Sequence, residues 1–305
     1  MPEMNINSIE DKIKNFAVAN APYSNVIGLG RSIIALGTLL TLITNPIDDL
    51  LMKRTSGEFL LNELLKGDFS TKFNFFFLFG FNNLFIVKWL AIVILLITIS
   101  GYFQKITCIL HWWITFSFFH SSAIIDGGDQ IGSILTLLLI PICLFDNRKN
   151  HWDRRIKRES ILNLISIFFL FLIQLQMSIV YLHAAVGKFE HNEWANGTAI
   201  YYWLNHSYFG MPDYMSFFNG FLSNSYIVTF LTYGVLILEL AIFLALFAKK
   251  SYKLTVLFIA LFFHFIIIFS LGIFSFFFAM AGGLIIYLCP TNIDLKFLLK
   301  NKNHI

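Results

Sequence analysis

The sequence predicts an all-α fold: a polytopic integral membrane helix bundle of about eight transmembrane helices with both termini cytoplasmic. Three observations carry that expectation. Hydrophobic residues make up 57% of the 305-residue chain and charged residues 13%, about half the ~25% charge of an ordinary soluble domain. Eight apolar segments reach or approach the ~20 residues needed to cross a ~30 Å hydrocarbon core. The basic residues gather at the ends of these segments in a pattern that one topology satisfies.

The segments lie at 26–44, 85–103, 107–125, 130–145, 161–189, 226–248, 252–271 and 273–289. The first follows a polar stretch of about 25 residues that lacks the apolar core and cleavage site of a secretory signal, so this span is expected to remain in the mature protein. The fourth and eighth are short. The fifth exceeds the length a span requires and is expected to tilt or to project beyond the bilayer. Between the fourth and fifth lies DNRKNHWDRRIKRES, with Arg148, Lys149, Arg154, Arg155, Lys157 and Arg158. A basic cluster in a short loop stays cytoplasmic. Alternation from that loop puts Lys105, Lys249, Lys250, Lys253, Lys296, Lys300, Lys302 and the N-terminus on the same side. Segments 45–84 and 190–225 then face outward, and Lys188 stands at the outer end of the fifth span. Within the first outer segment, FNFFFLFGFNNLF reads as an interfacial or re-entrant helix. A ninth crossing at 73–86 is the alternative, and it spoils the agreement of the charges.

One transmembrane domain is expected over residues 1–305, with its core at about 20–290. The formal charge of +4 is too small and too close to the span ends to point to nucleic acid; the expected surroundings are membrane lipid. Cys108, Cys143 and Cys289 each sit in an apolar segment and suggest packing residues rather than a disulfide framework. The sequence contains no zinc motif, phosphate-binding glycine loop or serine nucleophile elbow, and no metal site is expected. Ser121 and Ser122 follow His120 directly, but adjacency in sequence does not put a nucleophile against its base.

The ionisable residues inside the spans are the candidates for chemistry. Lys188 has two readings: a packed lysine acting as a base, or a snorkelling lysine with its ammonium in outer water near Glu190. His183 lies about 140° around the helix from Lys188 and does not share its face. At the outer end of the third span, His120, Asp126 and Asp129 are further candidates, and a carboxylate of the Asp-Gly-Gly-Asp turn is a possible partner for Lys188; an ordinary solvated loop is the alternative. Glu239 and His264, on consecutive antiparallel spans, fall about 14 and 18 Å from the cytoplasmic turn at ~1.5 Å per residue. They are expected to hydrogen-bond to each other, as a structural clasp or as part of a proton relay or quinone-like ligand site. Arg31 either snorkels to the inner surface or neutralises a buried acid.

The stretch YLHAAVGKFEHNEWANGTAIYYWL, from Tyr181 to Leu204, resembles the Tyr-x-x-Ala-Ala-x-x-Lys, Trp, Gly-Thr-Ala-x-Tyr-Tyr pattern of the horizontally transferred transmembrane domain superfamily, which includes the vitamin K-dependent gamma-carboxylases; Trp194 fills the tryptophan position. FHSSAIIDGGDQIG and the spans carrying Glu239 and His264 are similar to other parts of that domain, so the resemblance covers about residues 20–290. Length and the Asp-Gly-Gly-Asp turn look most like the bacterial sporulation-delaying protein B group. This implies a multi-pass protein of the bacterial cytoplasmic membrane that helps mature a secreted antimicrobial peptide from its precursor, with a small partner of the sporulation-delaying protein A type. It also implies that Lys188 occupies the place of the carboxylases' base. The chain departs from the carboxylases at Gly127, Gly128 and Asp129 and lacks their C-terminal globular region, which argues against carboxylation with reduced vitamin K. Three readings follow: a peptide-maturation factor, a quinone-dependent membrane enzyme with Lys188 as base, and a non-catalytic scaffold.

Overall fold

In the computed structural model, residues 6–51, 69–156, 161–207 and 210–295 are described, and within them all regular structure is helical. The helices of fifteen residues or more are α1 (Ile6–Asn20), α2 (Asn25–Thr44), α3 (Leu84–Ser100), α4 (Gln104–Ser121), α5 (Gly127–Phe145), α6 (Leu162–Lys188), α7 (Ser225–Leu244), α8 (Lys250–Leu271) and α9 (Phe274–Leu288). Each of the eight expected spans is a helix. Five are long and apolar enough to cross a membrane: α2, α5, α6, α7 with its extension to Phe247, and α8; α3 and α9 are shorter apolar helices.

The turns follow from local chemistry. α3 ends on Gly101 at φ 85°, and α8 ends on Gly272 at φ 73°; both are left-handed caps that a side chain would strain. Asp126 starts α5 by accepting hydrogen bonds from the Gly128 and Asp129 amides, while Asp129 accepts one from the Asp126 amide. This reciprocal box satisfies amides that the first turn leaves open.

α9 occupies the centre, with every residue from Ala279 to Leu288 buried. A helix apolar on all sides belongs in such a position. α2 crosses it closely: a Cβ on Gly282 would lie 2.6 Å from the Gly30 carbonyl oxygen, and one on Gly30 would lie 2.9 Å from the Gly282 oxygen. Lipid tails are as apolar as leucine, so helix association rests on this close backbone approach more than on apolar burial. α2 also joins two cores. Ile34 packs with α5, α6, α8 and α9, whereas Ala35, Leu39 and Leu42 pack with α3, α4 and the buried Phe75 and Phe76.

The FNFFFLFGFNNLF stretch is no ninth crossing. It forms two short 3₁₀ turns, Phe75–Phe77 and Phe81–Asn83, laid against α4 before α3 begins. Ser117 Oγ accepts from the Phe75 amide at 2.8 Å, and Trp113 Nε1 donates to the Phe73 oxygen at 2.8 Å.

One end of the bundle collects the basic loop. Arg148, 5% exposed, pairs with Asp146 at 2.7 Å and donates to the carbonyls of His151, Asp153 and Ser24. Lys105 reaches Asn147, and Arg155 donates to the Val18, Ala19 and Ala21 carbonyls at the end of α1. Arg148 therefore organises the loop from inside rather than sitting in water. Lys157, Arg158, Lys296, Lys300 and Lys302 lie outside the described residues. α6 runs away from this end, which carries Lys188 to the opposite one. α1 was not expected from the polar N-terminal stretch. Its amphipathic face finds a partner in α6 only after folding.

Gly282→Leu is expected to lower the thermal midpoint of the purified protein by several degrees, because overpacking costs roughly 1–3 kcal/mol and the obstacle here includes backbone. Gly234→Ala, whose Cβ would meet nothing within 4 Å, is the control and leaves the midpoint unchanged.

Candidate functional site

Lys188 ends α6, and its side chain turns back along the helix instead of reaching outward. Nζ donates to the Ala184 oxygen at 3.3 Å and to Glu239 Oε1 at 2.6 Å. Helical side chains lean toward the N-terminus of their own helix, and here that lean points the ammonium into the bundle. The side chains are 24% and 8% exposed for Lys188 and Glu239. This corrects the snorkelling reading. Glu190 stays exposed, and the partner is a buried carboxylate on α7.

Seven positions before Lys188, two helical turns on the same face, Tyr181 meets His264 of α8, with Tyr181 Oη and His264 Nε2 2.7 Å apart. The expected Glu239–His264 hydrogen bond does not form. Each residue instead takes its partner from α6, Glu239 pairing with Lys188 and His264 with Tyr181. Glu239 Oε2 and His264 Nδ1 are buried without hydrogen-bond partners. The Lys188–Glu239 and Tyr181–His264 contacts thus lie two turns apart on one face of α6. Phe263 and Phe276 wall the His264 ring. From sequence Tyr181 figured only as the first residue of the motif and not as a candidate for chemistry, although its i, i+7 spacing from Lys188 is the signal that places it on the same face. His183 is exposed, as its position on another face requires.

Asp126 and Asp129 do not reach Lys188. Their carboxylates close the α5 box, and Asp126 Oδ2 also accepts from Ser275 Oγ at 2.7 Å, fastening α5 to α9. The Asp-Gly-Gly-Asp turn is thus a helix start, and Gly128 admits the backbone of Phe276. His120 is exposed and donates through Nδ1 to the Phe116 oxygen. Arg31 is 1% exposed, so it does not snorkel, and among the described residues it meets no acid; it donates to Thr107 Oγ1. Cys108 and Cys143 are buried and free, and Cys289 is free and half-buried.

Trp194 joins the ion pair to the rim. Lys188 Nζ lies 5.3 Å from the centroid of its ring, within cation–π range. Trp194, Ala199 and Leu236 form a small core that seats the short helices Asn192–Ala195 and Ala199–Leu204 on α7. Tyr233 Oη donates to the Ala195 oxygen, and Gly197 at φ 73° lets the chain close against Thr229. Above Trp194 lies a cleft of about 360 Å³ lined by His191, Glu193, Trp194, Tyr202, Trp203 and His206. A buried ion pair thus opens, through one indole, onto an aromatic cleft at the end of the bundle opposite the basic loop. Among the described residues, no group of three or more metal-ligating side chains is gathered.

Fold and site define a helical membrane protein with an intramembrane lysine–glutamate pair. Residues 50–290 match the HTTM domain family, and the chain belongs to that family, as the Tyr181–Leu204 stretch implied. It is 38% identical over 294 residues to the uncharacterised protein YitO of Bacillus subtilis strain 168, covering 93% of each chain. It is 34% identical over 289 residues to sporulation-delaying protein SdpB of the same organism, covering 94% of this chain and 86% of SdpB. No solved structure matches it.

Breaking a buried pair from one side strands a charge and costs about 3–5 kcal/mol. Because Lys188 is about a quarter exposed, Lys188→Met and Glu239→Gln are each expected to cost near the lower end of that range. Combining Lys188→Met with Glu239→Gln is expected to restore part of the loss. Thermal unfolding of the four proteins in one detergent checks the cycle.

Proposed function

We propose that the protein is a multi-pass component of the bacterial cytoplasmic membrane that supports maturation of a secreted antimicrobial peptide at the outer face. A small partner of the sporulation-delaying protein A type acts with it. The carrying observation is the aromatic cleft that meets the Lys188–Glu239 pair through Trp194. An apolar or aromatic peptide segment is the ligand such a cleft suits, and the ion pair beneath offers its polar groups a charged contact. The relation to SdpB, whose name places it in sporulation delay, supports the same reading. The lysine clusters at the opposite end support a cytoplasmic basic face.

A second reading is favoured by two atoms. Glu239 Oε2 and His264 Nδ1 are buried, polar and unpartnered; the first can accept from the hydroxyl of a reduced quinone, and the second, as an N–H, can donate to a quinone carbonyl. Transfer of the Lys188 proton to Glu239 would leave a neutral amine able to act as a base. Organic extraction of purified protein that yields a quinone in stoichiometric amount would support this reading; extraction that yields none would remove it.

Mass spectrometry of culture supernatant from cells carrying the precursor and the small partner tests the main proposal. Omitting the protein is expected to abolish the mature mass, and Lys188→Met, at normal membrane abundance, to reduce it at least tenfold. Trp203→Ala is expected to reduce it less. An unchanged mature mass without the protein overturns the proposal. A membrane-impermeant maleimide applied to intact cells is expected to label Tyr202→Cys and to spare Lys149→Cys.

A further inference from the structure

The basic end contains a second polar cluster unrelated to Lys188. Arg31 on α2 is among the largest fully buried side chains of the described residues. Its Nη2 donates to Thr107 Oγ1 of α4 at 2.6 Å, and its Nη1 has no partner. Two imidazoles share its surroundings. His111, one turn beyond Thr107 on α4, is 1% exposed with Nε2 unpartnered; His151, in the basic loop, is 2% exposed with Nδ1 unpartnered. His151 packs on the α2 face of Gly28 and Ser32 that flanks Arg31, and His111 follows Arg31's partner Thr107 on the same face of α4.

His151 is held in place on three sides. Its Nε2 lies 3.3 Å from Ser32 Oγ, next in sequence to Arg31. A Cβ on Gly28 or Gly101 would come within 2.8 Å of its Cδ2. Burial beside the Arg31 and Arg148 charges keeps this imidazole's pKa well below the ordinary value, so the ring is neutral and can present one N–H.

Among the described residues, the carboxylates of the basic loop and of the C-terminal turn are engaged elsewhere. Asp146 is bound by Arg148 through Nε and Nη2, Asp153 accepts from the Asn150 amide, and Asp294 accepts from the amides of Arg155 and Asn25. Cys108 and Cys143 are buried free thiols, and the Cys108 thiol donates to the Lys105 oxygen at 3.3 Å. A buried positive charge without a counter-charge is strongly disfavoured. Water supplies hydrogen bonds but no charge, and a cation is repelled.

We propose that Arg31 Nη1, His111 Nε2 and His151 Nδ1 bind one small inorganic monoanion, of chloride size, which ties α2 and α4 to the basic loop. The fully buried donors leave no route for a lipid phosphate or an organic carboxylate, so selection is by size as well as charge.

The test uses the full-length protein in a neutral detergent, with thermal unfolding followed as sodium gluconate is replaced by sodium chloride or bromide at constant ionic strength. A saturable rise is expected, roughly 5 °C at a hundredfold excess over Kd, with no rise in sulfate. Arg31→Met is expected to abolish the anion dependence, and Cys143→Ser to retain it. X-ray absorption of bromide-exchanged wild-type protein after gel filtration is expected to count one bromide per chain, a readout that stands even where Arg31→Met fails to accumulate. Substoichiometric bromide, an equal response to sulfate, or an undiminished response in Arg31→Met overturns the proposal.

Discussion

The Lys188–Glu239 ion pair is the constraint on which the arrangement of the Lys188 end depends. A lysine at the end of a span can extend to water or find a partner, and the direction of its side chain decides between them. Here the chain folds back beside Ala184, a small residue that leaves room for it, and meets a carboxylate on α7. That contact fixes α6 against α7 and places the ammonium under Trp194. The aromatic rim rests on the same helix through Leu236 and Tyr233. Pair, indole and cleft are therefore parts of one packing arrangement.

The two ends of the bundle are held by different chemistry. At the Lys188 end, rings and short helices cover a charge pair. At the basic end, guanidinium groups bind backbone carbonyls: Arg148 gathers the loop and Arg155 holds the end of α1. Between them, α2 and α9 meet backbone to backbone at Gly30 and Gly282. α2 belongs to both cores, so a shift of this helix is felt on either side of the molecule.

Polar residues in spans attract functional readings because they are costly there. The Asp-Gly-Gly-Asp turn illustrates how often local structure accounts for them. Asp126 and Asp129 satisfy the open amides of α5 and hold Ser275, a capping role that is neither the site nor the solvated loop expected from the sequence. Glu239 Oε2 and His264 Nδ1 have no such account, which is why the site is placed around them.

Composition and periodicity by themselves determined the all-helical membrane class, the eight helices and their approximate limits, since the bilayer demands long apolar segments with internally satisfied backbones. The motif from Tyr181 to Tyr202 likewise located the region of the site. The partners were not legible there. Glu239 was matched to His264 from depth along the bundle alone, but depth says nothing of which face each helix turns to its neighbours. Only the tertiary structure, through the faces that the three helices turn to one another, decided that Glu239 takes Lys188 and His264 takes Tyr181. The same holds for Arg31: the sequence marks a costly charge, and packing decides that it is buried and donates to Thr107 of α4.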